Sequence, residues 1–309
     1  MSNAHTTVLF HADDFGITEE QARDILALSS ACGGNGALNS VSIFANSSAF
    51  DAAVALAQPF VQAGKLKIGL HLNLVEGYPV SPANDVPLLV NDRGAFRHNF
   101  MGLLLQSKGT HRSAFAQQVE KECTAQLERF LQAFPAKKTA LRIDSHQHTH
   151  AIPTITNALV RAAEKLGCNI EHLRAPVEPL APHKAAAILR SELEPGKPDP
   201  RITPDNRAKM ILLNRLWNSK NGGAGLGLPH SLFCGVALSA HMDEVDGELV
   251  RAFAQSAAKL GMGAEILFHP ISVPVSRCLD PENTPFAQAC ASAARDREAK
   301  TLVKLENRS

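Results

Sequence analysis

Short apolar segments alternate with segments of helical periodicity along almost the whole chain, and this alternation constrains the fold more than any other feature. Seven strands are predicted, at 6–12, 38–45, 66–74, 139–146, 170–176, 231–238 and 264–270. Helices are predicted from about Thr18, over 50–61 and 113–134, from Pro153, and over 243–260 and 282–299. Such alternation is typical of an α/β fold with a parallel sheet, either open or closed into a barrel. In both forms, ligands bind at the carboxyl ends of the strands.

The sequence between these elements predicts one domain over residues 1–309. Stretches rich in Pro, Gly and Asn at 192–206 and 219–229 are predicted loops, and no linker is long enough to separate two domains. A net charge of +1, one Trp and one Tyr argue against a nucleic-acid partner. No apolar run suits a signal peptide or a membrane span, so we expect a cytoplasmic protein. The sequence leaves a homo-oligomer open.

Polar residues stand where the predicted strands end. The first strand runs into Asp13 and Asp14 within "HADDFGIT". A turn or a helix cap is the alternative role for this pair, but Thr18 and Gln21 already have capping-box spacing, so the cap does not require the aspartates. The other strands end in similar residues: His71 on the third, Asp144, His146, His148 and His150 on the fourth, Arg174 on the fifth, a less clear polar segment near His241 on the sixth, and His269 on the seventh. We therefore expect a functional site along this rim.

One carboxylate and two imidazoles suit a divalent transition metal with open positions for water or substrate. Asp14, His71 and one histidine of 146–150 supply such a set. Alternation in "HQHTH" would place three imidazoles on one side of an extended chain, but Pro153 predicts a helix start soon afterwards. We expect one ligand from this segment and supporting or substrate-binding roles for the other two histidines. The remaining histidines are predicted to be solvated: His5, His98, His111, His172, His183 and His230.

Four motifs occur in an order and spacing that resembles the YdjC-like carbohydrate deacetylase family: "HADDFGIT", "IGLHLNLVEGYPV", "IDSHQHTH" and "LFHP". The best-known member of that family removes an acetyl group from chitooligosaccharides. The resemblance covers nearly the whole chain and implies a distorted, TIM-like (β/α) barrel with one divalent metal ion, magnesium or zinc. It implies Asp14, His71 and His146 as the metal ligands and Asp13 as the general base.

Further segments resemble the hopanoid-biosynthesis deacetylases of the same family, namely "VEGYPV", "LRAPVEP" and "ALSAHMD". The chain departs from that branch at "DSHQHTH", where the branch carries a variant. It also has His11 before the aspartate pair, where Asn or Thr is more usual. This second difference leaves the metal set intact and changes the hydrogen bonding beneath it.

These residues suggest the hydrolysis of an N-acetyl group on an amino sugar, either in an oligosaccharide or on a lipid-like carrier such as a hopanoid. A metal-activated water would attack the acetyl carbonyl, with Asp13 as base and His269 as the acid that protonates the leaving amine. Arg174 is expected to hold a substrate hydroxyl or the developing charge. His148, His150 and His241 are expected to bind substrate or support the ligands.

Three other functions stay open at this point. The first is a metal-dependent hydrolase that acts on a phosphoester or a glycosidic bond. The second is an Fe(II) oxygenase, since two histidines and one carboxylate also form its metal site. The third is a non-catalytic sugar-binding protein on the same barrel.

Overall fold

The chain folds around a single parallel sheet. The structure is a computed structural model that describes residues 7–196 and 198–306. The strands are β1 (Val8–Phe15), β2 (Ser40–Ile43), β3 (Lys67–Leu72), β4 (Leu141–Ser145), β5 (Ile170–Leu173), β6 (Leu232–Cys234) and β7 (Ala264–Phe268). The helices are α1 (Glu19–Leu26), α2 (Phe50–Gln62), α3 (Phe100–Gln106), α4 (Arg112–Ala133), α5 (Pro153–Lys165), α6 (Leu180–Leu193), α7 (Pro204–Trp217), α8 (Gly247–Lys259), α9 (Thr284–Cys290) and α10 (Ala293–Glu306).

The sheet has the strand order β5-β4-β3-β2-β1-β7-β6, and every paired neighbour is parallel. The strands form a curled half-barrel flanked by helices, which confirms the predicted distorted α/β barrel. In the part of the chain that the structure describes, no ladder joins the edge strands β5 and β6. One backbone hydrogen bond lies beside this gap, from Leu173 N to Pro229 O at 3.0 Å. The carboxyl ends of all seven strands therefore lie along one rim.

The strands are buried because helices cover one face and side chains of the curled sheet fill the other. β2 and β4 are buried at every position. On the outside, α5 packs against α4 and buries a stripe at helical spacing that includes Ile155, Leu159 and Ala162. Each fully buried Ile or Leu side chain contributes about 1.5–3 kcal/mol to folding. This packing makes the sheet a rigid support for the residues at its rim.

The predicted helix starts at Thr18 and Pro153 are confirmed. Thr18 Oγ1 accepts a hydrogen bond from Gln21 N at 3.0 Å, and Pro153 is the first residue of α5. The prediction over 282–299 was wrong in one respect, because two helices, α9 and α10, replace the single one. Among the described helices, none is both long enough and apolar enough to cross a membrane.

Two further differences concern the segments before and after β6. Helix α7 begins at Pro204, inside the stretch predicted to be a loop, because Thr203 caps it by accepting from Asn206 N at 3.2 Å. The sixth strand ends at Cys234 rather than near residue 238. The Glu178 carboxylate accepts hydrogen bonds from the backbone N–H groups of residues 235–237, at 2.6–3.0 Å, and this takes them out of the sheet.

Candidate active site

The end of β1 is irregular, and this irregularity places both aspartates inside the rim. The register between β1 and β2 shifts between Ala12 and Phe15, and Asp14 has a left-handed backbone with φ of +60°. The Gln21 side chain holds this turn. It accepts from the N–H groups of residues 16 and 17 at 3.1 Å each and donates to Asp14 O at 2.8 Å. Asp13 and Asp14 are both buried, and they extend to different partners.

Asp14, His71 and His146 form a buried group whose donor atoms lie within 4.8 Å of one another. Asp14 Oδ1 is 3.4 Å from His71 Nε2 and 3.2 Å from His146 Nδ1. The Nε2 atoms of His71 and His146 are both buried, and neither has a hydrogen-bond partner among the described residues. Buried polar atoms without a partner are rare in folded proteins. One carboxylate and two imidazoles with unpartnered nitrogens fit a divalent metal ion.

The residues around His71 orient its ring for such a role. Its Nδ1 lies 2.5 Å from Asp144 Oδ1 and 3.1 Å from Ser42 Oγ. A carboxylate that accepts from Nδ1–H leaves the Nε2 lone pair directed at the group. Burial alone would lower the pKa of His71, but the Asp13 and Asp144 carboxylates outweigh it and raise the pKa to about 10. At pH 7 the imidazole is therefore protonated at both nitrogens, and a bound cation would replace the Nε2 proton and take up the Nε2 lone pair.

Arg295, which the sequence analysis did not single out, reaches the same carboxylate from α10. Its NH2 group donates to Asp14 Oδ2 at 2.5 Å. Burial would raise the pKa of Asp14, but Arg295 and the imidazole of His146 hold it well below its ordinary value. Asp14 is therefore ionised, with Oδ1 facing the two imidazoles and Oδ2 held by Arg295. No local signal marks Arg295, because its segment has the charged pattern of a solvated helix.

Asp13 lines the cavity, with its Oδ2 3.9 Å from His71 Nδ1, and its carboxylate is held by Arg174. Arg174 NH1 and NH2 donate to its two oxygens at 2.8 Å each, and Arg174 Nε donates to Glu265 at 2.6 Å. Burial would raise the pKa of Asp13, but Arg174 holds it well below the ordinary value. Arg174 is only 1% exposed and is not among the residues that line the cavity. Its contacts support Asp13.

His11 lies beneath the aspartate pair and links it to β2 and β4. Its Nδ1 is 2.8 Å from Ser40 Oγ, and its Nε2 is 3.2 Å from a carboxylate oxygen of Asp13 and of Asp144. Burial would lower the pKa of His11, but these two carboxylates raise it. His11 and Arg174 therefore both place positive charge among the buried carboxylates under the rim.

The segment 146–150 does not keep the alternation of an extended chain. Gln147 and His148 both have left-handed backbones, with φ of 52° and 55°, so the three imidazoles point in different directions. His146 faces Asp14, and His148 lines the cavity. His150 turns inward, where its Nε2 is 2.8 Å from Arg174 O, and burial lowers its pKa to about 4. A single histidine of this segment joins the candidate ligand group.

His269 stands at the end of β7 and lines the same cavity. Burial lowers its pKa to about 4 and outweighs the opposing effect of the Asp14 and Asp13 carboxylates, so its imidazole is neutral at pH 7. Its backbone N–H donates to Glu298 Oε2 at 2.6 Å. Burial raises the pKa of Glu298 to about 7. Glu298, like Arg295, belongs to the first half of α10 and was missed from the sequence.

A cavity of about 1400 Å³ opens above these residues. Its floor carries polar side chains: Asp13, Asp14, Glu76, His146, His148 and His269. One wall is apolar and comes from α3, α7, the segment after β6 and strand β7: Phe100, Met101, Leu212, Leu213, Val236 and Leu267. The space exceeds that of one sugar ring and joins a polar floor to an apolar wall.

Several predicted histidine positions differ from the structure. His241 is not brought to the cavity: its side chain is 45% exposed, because β6 ends seven residues before it. His172 is buried on β5, so the prediction that it is solvated was wrong. His98 is half-buried and lines the cavity. His183 is largely buried, and its Nε2–H donates to Glu178 Oε1 at 2.7 Å. His111 and His230 are exposed as expected, and His5 lies outside the described residues.

Comparison with known proteins decides the family. The family model described as "YdjC-like protein" matches residues 7–308. The chain belongs to the YdjC-like family. This confirms the resemblance that the four motifs indicated.

Several relatives carry the name carbohydrate deacetylase. The protein of Geobacillus stearothermophilus is 31% identical over 180 residues, which cover 58% of this chain and 63% of that one. Carbohydrate deacetylase 1 of Listeria innocua is 35% identical over 164 residues, or 53% and 59% of the two chains. The mouse protein is 30% identical over 281 residues, or 84% and 76%. The matches thus span about three-fifths of the two bacterial relatives' own length.

A solved structure supports the fold. A proposed cellobiose-phosphate cleavage protein of Enterococcus faecalis superposes with a TM-score of 0.54 and covers 97% of this chain and 91% of its own. The two sequences are 19% identical, so this likeness concerns the architecture alone.

Proposed function

We propose that the protein is a metal-dependent carbohydrate deacetylase that removes the N-acetyl group of an amino sugar. The observation that carries the proposal is the group Asp14, His71 and His146, with two unpartnered buried imidazole nitrogens. Asp14 and His146 of this group line the floor of a large cavity. Asp13 and His269 line the same floor. Membership of the YdjC-like family and the names of its relatives support the same activity.

Asp14, His71 and His146 would hold one divalent ion, magnesium or zinc. When bound, such an ion lowers the pKa of a water molecule and polarises a carbonyl oxygen. Arg295 keeps Asp14 Oδ2 occupied, so that Asp14 offers Oδ1 to the group. Asp144 fixes the ring of His71 through Nδ1.

The remaining residues move protons. Asp13 takes a proton from the attacking water, whose oxygen forms a bond to the acetyl carbon. Arg174 keeps this carboxylate ionised and holds both of its oxygens in place. His269 donates a proton to the sugar nitrogen as the C–N bond breaks, which gives acetate and a free amine. Because the pKa of His269 is about 4, its imidazolium is a strong acid. The imidazole takes this proton from solvent before the C–N bond breaks, and Asp13 returns the proton of the attacking water to solvent.

The cavity supports a substrate that is larger than one acetylated sugar. Its apolar wall suits an amino sugar attached to a lipid-like group such as a hopanoid, and its volume also accommodates an acetylated oligosaccharide. We place the lipid-linked sugar first because apolar residues of α3 and α7 line the same cavity as Asp14 and His146. A single domain over residues 1–309 and a cytoplasmic location stay predictions from the sequence.

The experiment is acetate release from defined substrates. Purified protein, stripped with a chelator and then reloaded with Mg²⁺ or Zn²⁺, is incubated with chitooligosaccharides and with an N-acetylglucosaminyl lipid. We expect acetate only after reloading, with a higher kcat/KM on the lipid. Phosphate release from a phosphorylated sugar, or cleavage of a glycosidic bond, without acetate release would overturn the proposal.

A further inference from the structure

We propose that Glu298 is a positioning residue for His269, which it holds at the rim by accepting the hydrogen bond of its backbone N–H. The inference rests on the proposed function, in which His269 protonates the leaving amine. Glu298 Oε2 lies 2.6 Å from His269 N, and the glutamate is only 2% exposed. Glu298 is 29 residues away in the sequence, so this contact exists only in the folded barrel.

The sheet itself does not hold His269. The pairing of β1 with β7 ends at Ala12 and Phe268, and β1 becomes irregular immediately afterwards. Pro270 follows and has no N–H to donate. Ile271 then has a left-handed backbone with φ of +69°. The chain therefore leaves the sheet at His269, and the backbone N–H of His269 needs an acceptor from outside the strand ladder.

Helix α10 supplies that acceptor and ties the end of β7 to the end of β1. One turn before Glu298, Arg295 NH2 donates to Asp14 Oδ2, and the carbonyl of Arg295 accepts from Ile271 N at 3.3 Å. Arg295 and Glu298 are three residues apart and so lie on the same face of the helix. Both line the cavity. The first turns of α10 thus fix the candidate ligand Asp14 and the candidate acid His269 relative to each other.

Other strand ends are held in a similar way, which a test must take into account. Gln126 Oε1 accepts from Asn73 N at 3.0 Å after β3, and Glu178 holds residues 235–237 after β6. A loss of activity after mutation of Glu298 could therefore reflect stability alone. The readout that separates the two explanations is the loss of rate on the amide compared with the loss on an ester. A loss that arises through His269 is smaller on the ester, because its leaving group needs no proton, whereas a loss of stability slows both substrates equally.

The experiment compares Glu298→Met, which removes the acceptor, with Glu298→Gln, which keeps one at the same length. Each is assayed with an N-acetyl amide and with an aryl acetate ester. For Glu298→Met we expect kcat on the amide to fall about 10- to 100-fold with little change in KM, as expected for a misplaced catalytic group. The loss on the ester should be several-fold smaller. Glu298→Gln should restore most of the amide rate.

The control is Arg297→Met on the same helix turn. Arg297 is exposed and pairs with Asp243 through Nε at 2.7 Å, away from the acceptor of His269. The Arg297→Met variant should leave the ratio of the amide rate to the ester rate unchanged. If Glu298→Met does not fold, Glu298→Asp replaces it, since a shorter side chain weakens the same bond and should give an intermediate ratio.

Two outcomes overturn the inference, and they differ in what else they affect. In the first outcome, His269→Ala loses less rate on the ester than on the amide, but Glu298→Met and Glu298→Asp lose equal rates on both substrates. Glu298 then does not act through His269. In the second outcome, His269→Ala loses equal rates on amide and ester. The proposed acid is then wrong, and this inference fails with it.

The double variant His269→Ala/Glu298→Met gives a further test. If it is no slower on the amide than His269→Ala, the two residues act as one unit, as proposed.

Discussion

Replacement of Arg174 by methionine removes the cation around which the buried carboxylates of the site are arranged. Arg174 donates to both oxygens of Asp13 at 2.8 Å and to Glu265 at 2.6 Å. Methionine fills similar space without charge, so both carboxylates would remain buried without this partner. The loss of one partner from a buried ion pair costs about 3–5 kcal/mol. We therefore expect Arg174→Met to lower the free energy of unfolding by about 3–5 kcal/mol at pH 7.

The assay is urea unfolding followed by the fluorescence of Trp217, which is the only tryptophan of the chain and is buried. Arg142→Met is the matched control on the neighbouring strand. Arg142 NH1 lies 3.4 Å from Glu171, whose side chain is half-exposed. Arg142 is itself only 10% exposed, but Glu171 keeps its contact with water when this partner is removed, so the loss should resemble the roughly 0.2–1 kcal/mol of solvent-exposed ion pairs. The control should therefore lose no more than about 1 kcal/mol.

The pH dependence gives the reasoning a second test. Burial would raise the pKa values of Asp13, Asp144 and Glu265, but Arg174 holds all three below their ordinary values. A carboxyl group of this kind stabilises the fold above its unfolded pKa of about 4, and the contribution is lost as the pH falls. The difference between wild type and Arg174→Met should be largest above about pH 5 and should narrow below about pH 4. A difference under about 1 kcal/mol at pH 7, or one that widens in acid, would refute the reasoning.

Three further predictions concern the catalytic groups. Asp14→Ala should lose metal and activity together, as measured by calorimetry with Zn²⁺ and by acetate release; full activity of rigorously metal-free wild type would contradict the metal assignment. Asp13→Asn should keep the metal and lose about two to four orders of magnitude in rate on both amide and ester, because the attacking water must be activated in either case; an Asp13→Asn protein without metal would show that the roles of the two aspartates are misassigned. His269→Ala should also keep the metal, and its defect should shrink on an aryl acetate ester; equal defects on both substrates would exclude it as the acid.

The elements that position the site could be predicted because their signals are local. Each strand is a short apolar run, and each of the residues Asp14, His71 and His146 stands at or near a strand end in the sequence. Since a parallel barrel gathers strand ends at one rim, strand positions indicate Asp14, His71 and one histidine of 146–150, and the family resemblance indicates His146 among these. His172 could also have been placed correctly, because it lies inside the predicted strand 170–176, which is buried at His172 and Leu173.

The contacts made by α10 could not be predicted in this way. Arg295 and Asp14 are 281 residues apart, and the segment that contains Arg295 has the charge pattern of a solvated helix. Similarly, the sequence places Arg174 at a strand end but does not indicate where its guanidinium points. A strand-end arginine can face a substrate or a buried carboxylate, and the outcome depends on which neighbours the curled sheet brings to it.

The geometry of β1 explains how two adjacent aspartates reach two different environments. In a regular strand, neighbouring side chains point to opposite faces, so Asp13 and Asp14 could not both enter the rim. The register shift and the left-handed backbone of Asp14 remove this restriction. Such a backbone costs a non-glycine residue of order 1–3 kcal/mol, and it persists only where its surroundings fix it. Here the side chains of Gln21 and Arg295 fix it from either side, by bonds to the backbone carbonyl and to the carboxylate of Asp14. A glycine would relieve the strain but remove the carboxylate, so the strain follows from using this position as a ligand while Asp13 remains available as a base.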